Sequence, residues 1–99
     1  MPNWNHGGRR ADRLDVRMTA SLREIGCTKF NVDVLDMSIS GFRFETAYSI
    51  APASRVWLTI PGLAGQESIV AWQDRFRYGA YFVTPLHVAV FDHIVAIYR

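Results

Sequence analysis

Between Val16 and Arg23 the chain changes character at every residue. Val16, Met18, Ala20 and Leu22 are apolar, and Arg17, Thr19, Ser21 and Arg23 between them are polar. Successive side chains take opposite faces only in an extended strand, so this period of two predicts a strand with one face buried. The pattern returns with Phe30, Val32 and Val34, with Phe42 and Phe44, and with Val56, Leu58 and Ile60. Residues 67–73 and 77–83 read as two further strands around the turn "QDRF". The turn "EIGC", the loop "SIAPAS" and Pro61-Gly62 separate the others. Six short strands with turn signals at this spacing predict an all-β domain, a six-stranded antiparallel β-barrel.

The tail departs from that period. Leu86, Val90, Ile94 and Ile97 recur at helical spacing, and Thr84-Pro85 offers an N-cap followed by proline in the first turn. The β-branched content would suit a strand, but apolar and polar residues do not alternate, so a C-terminal helix laid over one end of the barrel is expected. Residues 1–12 read as a flexible leader because Gly7-Gly8 sits among polar neighbours, leaving 13–99 as one domain. A chain of 99 residues can bury one core but hardly two.

Several functions are disfavoured at once. The single cysteine, Cys27, allows no internal disulfide, and no apolar run approaches the length of a membrane helix. The start "MPNWNHGGRR" lacks the apolar segment of a secretion signal, so a reduced cytoplasmic location without membrane contact is expected. His87 and His93 would lie about 120° apart on a helix, too far round to share a metal. His93 beside Asp92 reads as an exposed pair, not a catalytic dyad. No nucleophile elbow, phosphate-binding glycine loop or dinucleotide fingerprint is present in the sequence. The chain is read as a binding protein without cofactor or catalytic metal.

Charge is distributed unevenly. Residues 1–23 hold five arginines against two aspartates, whereas residues 24–99 carry a net charge of −1. The cations gather in "RRADRLDVR", where Arg9 to Arg13 and Arg13 to Arg17 are both R-x-x-x-R; Arg17 belongs to the polar face of the first strand. Guanidinium groups fork onto phosphate oxygens or onto the O6/N7 edge of guanine. The second unusual stretch is "VLDMSISGFRF", which contains D-x-S-x-x-G, a run that chance places in only roughly a few per cent of chains this long. It can be read as an Asx or Ser turn between two strands, with Gly41 supplying an unusual backbone angle, or as part of a binding site.

The two stretches together resemble the PilZ domain family, whose hallmarks are R-x-x-x-R in a leading loop and [D/N]-x-S-x-x-G further on. They stand here as Arg9-Arg10-Ala11-Asp12-Arg13 and Asp36-Met37-Ser38-Ile39-Ser40-Gly41, with "GAYFV" in the last strand. The similarity runs from about residue 8 to the end. It implies a bacterial receptor for cyclic di-GMP, a ring of two guanosines joined by two phosphates. By resemblance, Arg9 and Arg13 are the paired arginines with Arg10 auxiliary, while Asp36, Ser38 and Gly41 line the barrel side of the ligand. An ionised Asp36 accepts from guanine N–H groups, Ser38 offers a hydroxyl, and Gly41 allows close approach.

Trp72 stands where similar domains place an aromatic near the ligand, though sheet packing explains it equally well. Trp4 reads as an exposed tail aromatic, and Arg43 as a solvated residue, with a place at the rim of the site as the alternative. The expected mechanism is that nucleotide binding reorders the leader and so changes contact with a separate protein partner. The resemblance also covers adaptors that bind no nucleotide and act through protein contacts in motility or pilus assemblies. Nucleic acid is not expected as a partner, because the sheet region is slightly acidic and lacks interleaved cations and aromatics.

Overall fold

A computed structural model describes residues 13–99. The expectations for the leader, including Trp4, Arg9 and Arg10, concern residues outside that range. The elements follow as β1 (Leu14–Glu24), β2 (Phe30–Met37), β3 (Gly41–Glu45), β4 (Arg55–Thr59), β5 (Gln66–Asp74), β6 (Arg77–Phe82) and α1 (Val88–Tyr98). The strands close into a barrel in the order β1-β2-β3-β6-β5-β4, and each neighbouring pair is antiparallel. Closure leaves no strand edge unpaired. Barrel and terminal helix agree with what the alternation predicts.

The apolar halves of the strands make the core: Val16, Met18, Ala20 and Leu22 from β1, Val32 and Val34 from β2, and Val56 and Leu58 from β4 are all buried. A column of aromatic rings runs through it. Phe82, Phe42, Phe44 and Tyr78 follow one another at centroid distances of 5.2, 5.5 and 5.2 Å. These separations fall in the range where tilted or offset rings attract beyond simple burial.

The column ends on Tyr78, whose hydroxyl ties down the loop between β3 and β4. It donates to the Tyr48 carbonyl at 2.9 Å and accepts from the Ile50 N–H and from Gln73 Nε2, both at 3.1 Å. The loop then carries Ile50, itself buried, across that end of the barrel.

Three register shifts interrupt the ladders: between Asp15 and Met18 in β1, between Val34 and Asp36 in β2, and between Val70 and Trp72 in β5. In β2 the extra residue is Leu35, and in β5 it is Ala71. Each inserted residue reverses the inside-outside order beyond it. Val32 and Val34 face the core, but so does Met37, and Asp36 is turned to the outer face opposite Arg43.

The helix corrects the sequence reading at its start. It begins at Val88, with His87 as N-cap, and not at Thr84-Pro85. His87 is extended (φ −64°, ψ 141°) and its Nδ1 accepts from the Ala89 N–H at 3.0 Å. The earlier start is excluded by the extended backbone at His87, and the segment before it is seated on the hairpin by the Leu86 N–H donating to the Ile39 carbonyl at 2.9 Å. The buried face is correspondingly displaced. Phe91 and Ile94 are its buried residues, Val90, Val95 and Tyr98 pack partly against the core, and Ile97 is 56% exposed. His87 thus precedes the helix, so the angular argument for the two histidines does not apply as stated.

Replacing Tyr78 with Phe keeps the aromatic column but strands the buried Ile50 N–H. Chemical denaturation of Tyr78→Phe should show a loss of about 1–3 kcal/mol.

Candidate functional site

The β2–β3 hairpin is closed by the Ser38 N–H donating to the Gly41 carbonyl at 2.9 Å, which leaves Ile39 and Ser40 as the turn. Ser38 is fully buried, and its Oγ accepts from the Ser40 N–H at 3.0 Å. This is the Ser-turn that the sequence allows, and it needs a small hydroxyl at that place. The turn's carbonyls are used as well: Ser40 accepts from the Phe82 N–H at 2.8 Å and Ile39 from the Leu86 N–H. Gly41 does not supply the unusual angle. Positive φ among the described glycines occurs at Gly26 and Gly62, while Gly41 opens β3 opposite Tyr81.

Below the turn, cross-strand pairing lines up one row on the outside of the barrel. Asp15 pairs with Asp36, Asp36 with Arg43, Arg43 with Gly79, and Gly79 with Trp72. The row crosses β1, β2, β3, β6 and β5, and both of its ends depend on bulges. Continued alternation from Val34 would aim Asp36 into the aromatic core. Continued alternation from Val70 would do the same to Trp72. The single residues Leu35 and Ala71 bring both onto the outer surface.

Asp36 is 2% exposed, while the Arg43 side chain retains 32%. Arg43 Nε donates to Asp36 Oδ2 at 2.6 Å, and the second guanidinium nitrogen approaches the same oxygen at 2.5 Å. Oδ1 is buried and has no hydrogen-bond partner among the described residues. An acceptor in that condition costs about 1–3 kcal/mol relative to a satisfied one. On the far side stands Asp15, the cross-strand partner of Asp36 in the β1–β2 pair, and like charges set opposite each other in a sheet are destabilising.

At the other end of the row Trp72 lies flat across the Gly79 backbone. A Cβ on Gly79 would overlap Nε1 and Cε2 of the indole. Glycine inside a strand is unfavourable unless something approaches closely, and here that something is the tryptophan ring. Trp72 remains half-buried, with one part of the indole towards solvent.

Of the residues nominated from sequence and described here, Asp36 and Trp72 share this row, and Ser38 and Gly41 build the turn above it. Arg13 is exposed and immediately precedes Leu14, the partner of Met37, which brings it to the same end of the hairpin. Arg43 is not the freely solvated residue expected but the ionic partner of Asp36. Gly79 was not anticipated as part of the arrangement, although a lone glycine between Tyr78 and Ala80 in a strand is a readable sign of close approach. A shallow groove of about 400 Å³ adjoins the row where β1 and β2 lose register, lined by Arg17, Thr19, Asp33 and Leu35 among others.

The Trp72–Gly79 contact has a direct test. Gly79→Ala should displace the indole and destabilise the fold by about 1–3 kcal/mol. In a Trp72→Ala background the same change should cost far less, since the clash has gone.

Among the described residues no helix is long and apolar enough to cross a membrane. No curated protein sequence is similar enough to this chain to count as a match. The family model described as "PilZ domain" matches residues 8–99, a span that takes in the barrel, the Ser-turn hairpin, the Asp36–Arg43 pair and the helix. The chain belongs to the PilZ domain family, a family of binding and adaptor domains.

Proposed function

We propose that this domain is a receptor for cyclic di-GMP, holding the nucleotide between Arg9, Arg10 and Arg13 and the outer face of the barrel around Asp36. The observation that carries the reading is Asp36 Oδ1, a buried carboxylate oxygen with no donor among the described residues. A guanine presents N–H groups on one edge and the acceptors O6 and N7 on another. The first suits Asp36, and the second suits an arginine fork. The two phosphate charges of the ligand suit the excess of arginine before β1.

Trp72 supplies a flat apolar surface at the far end of the row, held in place by Gly79. The Ser38 hydroxyl is already engaged as an acceptor within the turn, so what it keeps for a ligand is its O–H hydrogen. Reaching Oδ1 requires the groups that now cover it to move aside. Binding therefore comes with a rearrangement of the neighbouring chain, and the leader arginines are the segment drawn onto the ligand. In this reading the altered course of the leader is the signal passed to a protein partner, in keeping with a bacterial, cytoplasmic second-messenger receptor.

Calorimetric titration of the full chain with cyclic di-GMP tests the assignment. Removing one charge-assisted contact should weaken binding about 10- to 100-fold in Arg13→Ala and again in Asp36→Ala. Wild-type affinity in both variants would refute the site. A ligand at a hundred times its Kd should add about 2.7 kcal/mol to wild-type stability. If the nucleotide leaves the melting temperature of the wild-type chain unmoved, the domain acts instead as an adaptor through protein contacts.

A further inference from the structure

We infer that Arg43 is a positioning residue that reserves one oxygen of Asp36 for an N–H donor, and through it makes the site select guanine over adenine. The inference rests on the cyclic di-GMP reading above and adds to it a residue that lies outside both sequence motifs. Arginine and carboxylate ordinarily meet as two forks, one N–H to each oxygen. Here both guanidinium donors converge on Oδ2, at 2.6 and 2.5 Å, and Oδ1 receives none. A pair serving only to neutralise charge gains by engaging both oxygens. This pair forgoes that gain and keeps one buried acceptor open.

The register explains how the asymmetry is held. Asp36 and Arg43 are direct cross-strand partners next to the Leu35 bulge, two residues in from the Ser38–Gly41 closure. Arg43 is flanked on its other side by Gly79, over which Trp72 lies. From β1, Asp15 adds a second negative charge opposite Asp36. Arg43 is thus the ionic partner of Asp36 among the described residues, and it approaches on the Oδ2 side.

A charged acceptor held in this way discriminates by chemistry. Guanine offers N–H hydrogen on its pairing edge at N1 and at the amino group. Adenine carries a lone pair at N1, which would face the carboxylate oxygen and be repelled. If the carboxylate were free to rotate, it could turn Oδ1 away and soften that repulsion. Arg43, by fixing Oδ2, removes the freedom.

The test is a double-mutant cycle read by calorimetry on the full chain, with cyclic di-GMP and its adenine counterpart, cyclic di-AMP, as the two probes. Arg43→Gln should weaken cyclic di-GMP about tenfold and narrow its preference over cyclic di-AMP. In an Asp36→Asn background, Arg43→Gln should cost almost nothing further, because there is no carboxylate left to hold. Arg43→Lys keeps the charge but not the two-donor grip; it should fold and fall between wild type and Arg43→Gln in selectivity, and it carries the comparison if Arg43→Gln does not fold. Melting each variant without ligand separates loss of fold from loss of recognition. Equal losses in the Asp36 and Asp36→Asn backgrounds would mean that Arg43 acts on the ligand by itself and would overturn the proposal. So would unchanged affinity and selectivity in Arg43→Lys. A wild-type chain that fails to bind cyclic di-GMP would remove the receptor reading, and this inference with it.

Discussion

A strand in a closed barrel has only two directions in which to aim a side chain, and the core admits no charge. The whole outer row from Asp15 to Trp72 depends on how this protein meets that constraint. Leu35 and Ala71 are each one residue too many for the strand beside them. Without them Asp36 would point at Phe42 and Phe44, where an isolated carboxylate would cost several kcal/mol. With them the same residue lies on the outer face beside Arg43, and Met37 takes the inward place. The bulges are therefore part of the site as much as the residues they redirect.

Stability does not account for what is assembled there. A buried ion pair contributes little or nothing net compared with apolar residues of the same size, because desolvation offsets the attraction. Here the balance is worse than usual. One carboxylate oxygen lacks a donor, and a second aspartate stands across the pair. The barrel tolerates this because its stability resides elsewhere, in the aromatic column and in the Tyr78 hydroxyl that fastens the β3–β4 loop. Local cost carried by a rigid frame is the condition expected where a ligand completes the hydrogen bonding.

The strands were legible because burial repeats every second residue over long enough runs to be unambiguous, as at Val16 to Arg23. The hairpin was legible through its chemistry, since a serine two residues before another backbone N–H favours a turn. What alternation cannot display is a single inserted residue. Leu35 is apolar, as its neighbours are, and nothing in "NVDVLDM" says which residue is the extra one. Arg43 therefore seemed solvated, because its partner is fixed by a register that only the folded pairing reveals. The start of α1 differs for a similar reason: Thr84-Pro85 has good local chemistry for a cap, but the chain stays extended through His87, with the Leu86 N–H held by Ile39, distant in sequence. Trp72 and Gly79 could each be noticed separately. Their contact needed the Ala71 bulge to bring them opposite.

That bond from Leu86 to Ile39, with its neighbour from Phe82 to Ser40, gives the turn a second role. Ser38 and Gly41 shape the hairpin end, and the carbonyls they expose seat the segment leading into α1. The helix in turn packs against β1. Arg13 stands at the start of β1, next to the same hairpin end. Arg13, turn and helix thus stand around one corner of the barrel. A force that draws Arg13 towards an anion at the row beneath acts on the first residues of β1. From there it reaches the turn through the Leu14–Met37 pair and the helix through its packing. The serine and glycine of the motif, which serve the turn before they serve any ligand, are what join the outer row to the rest of that corner.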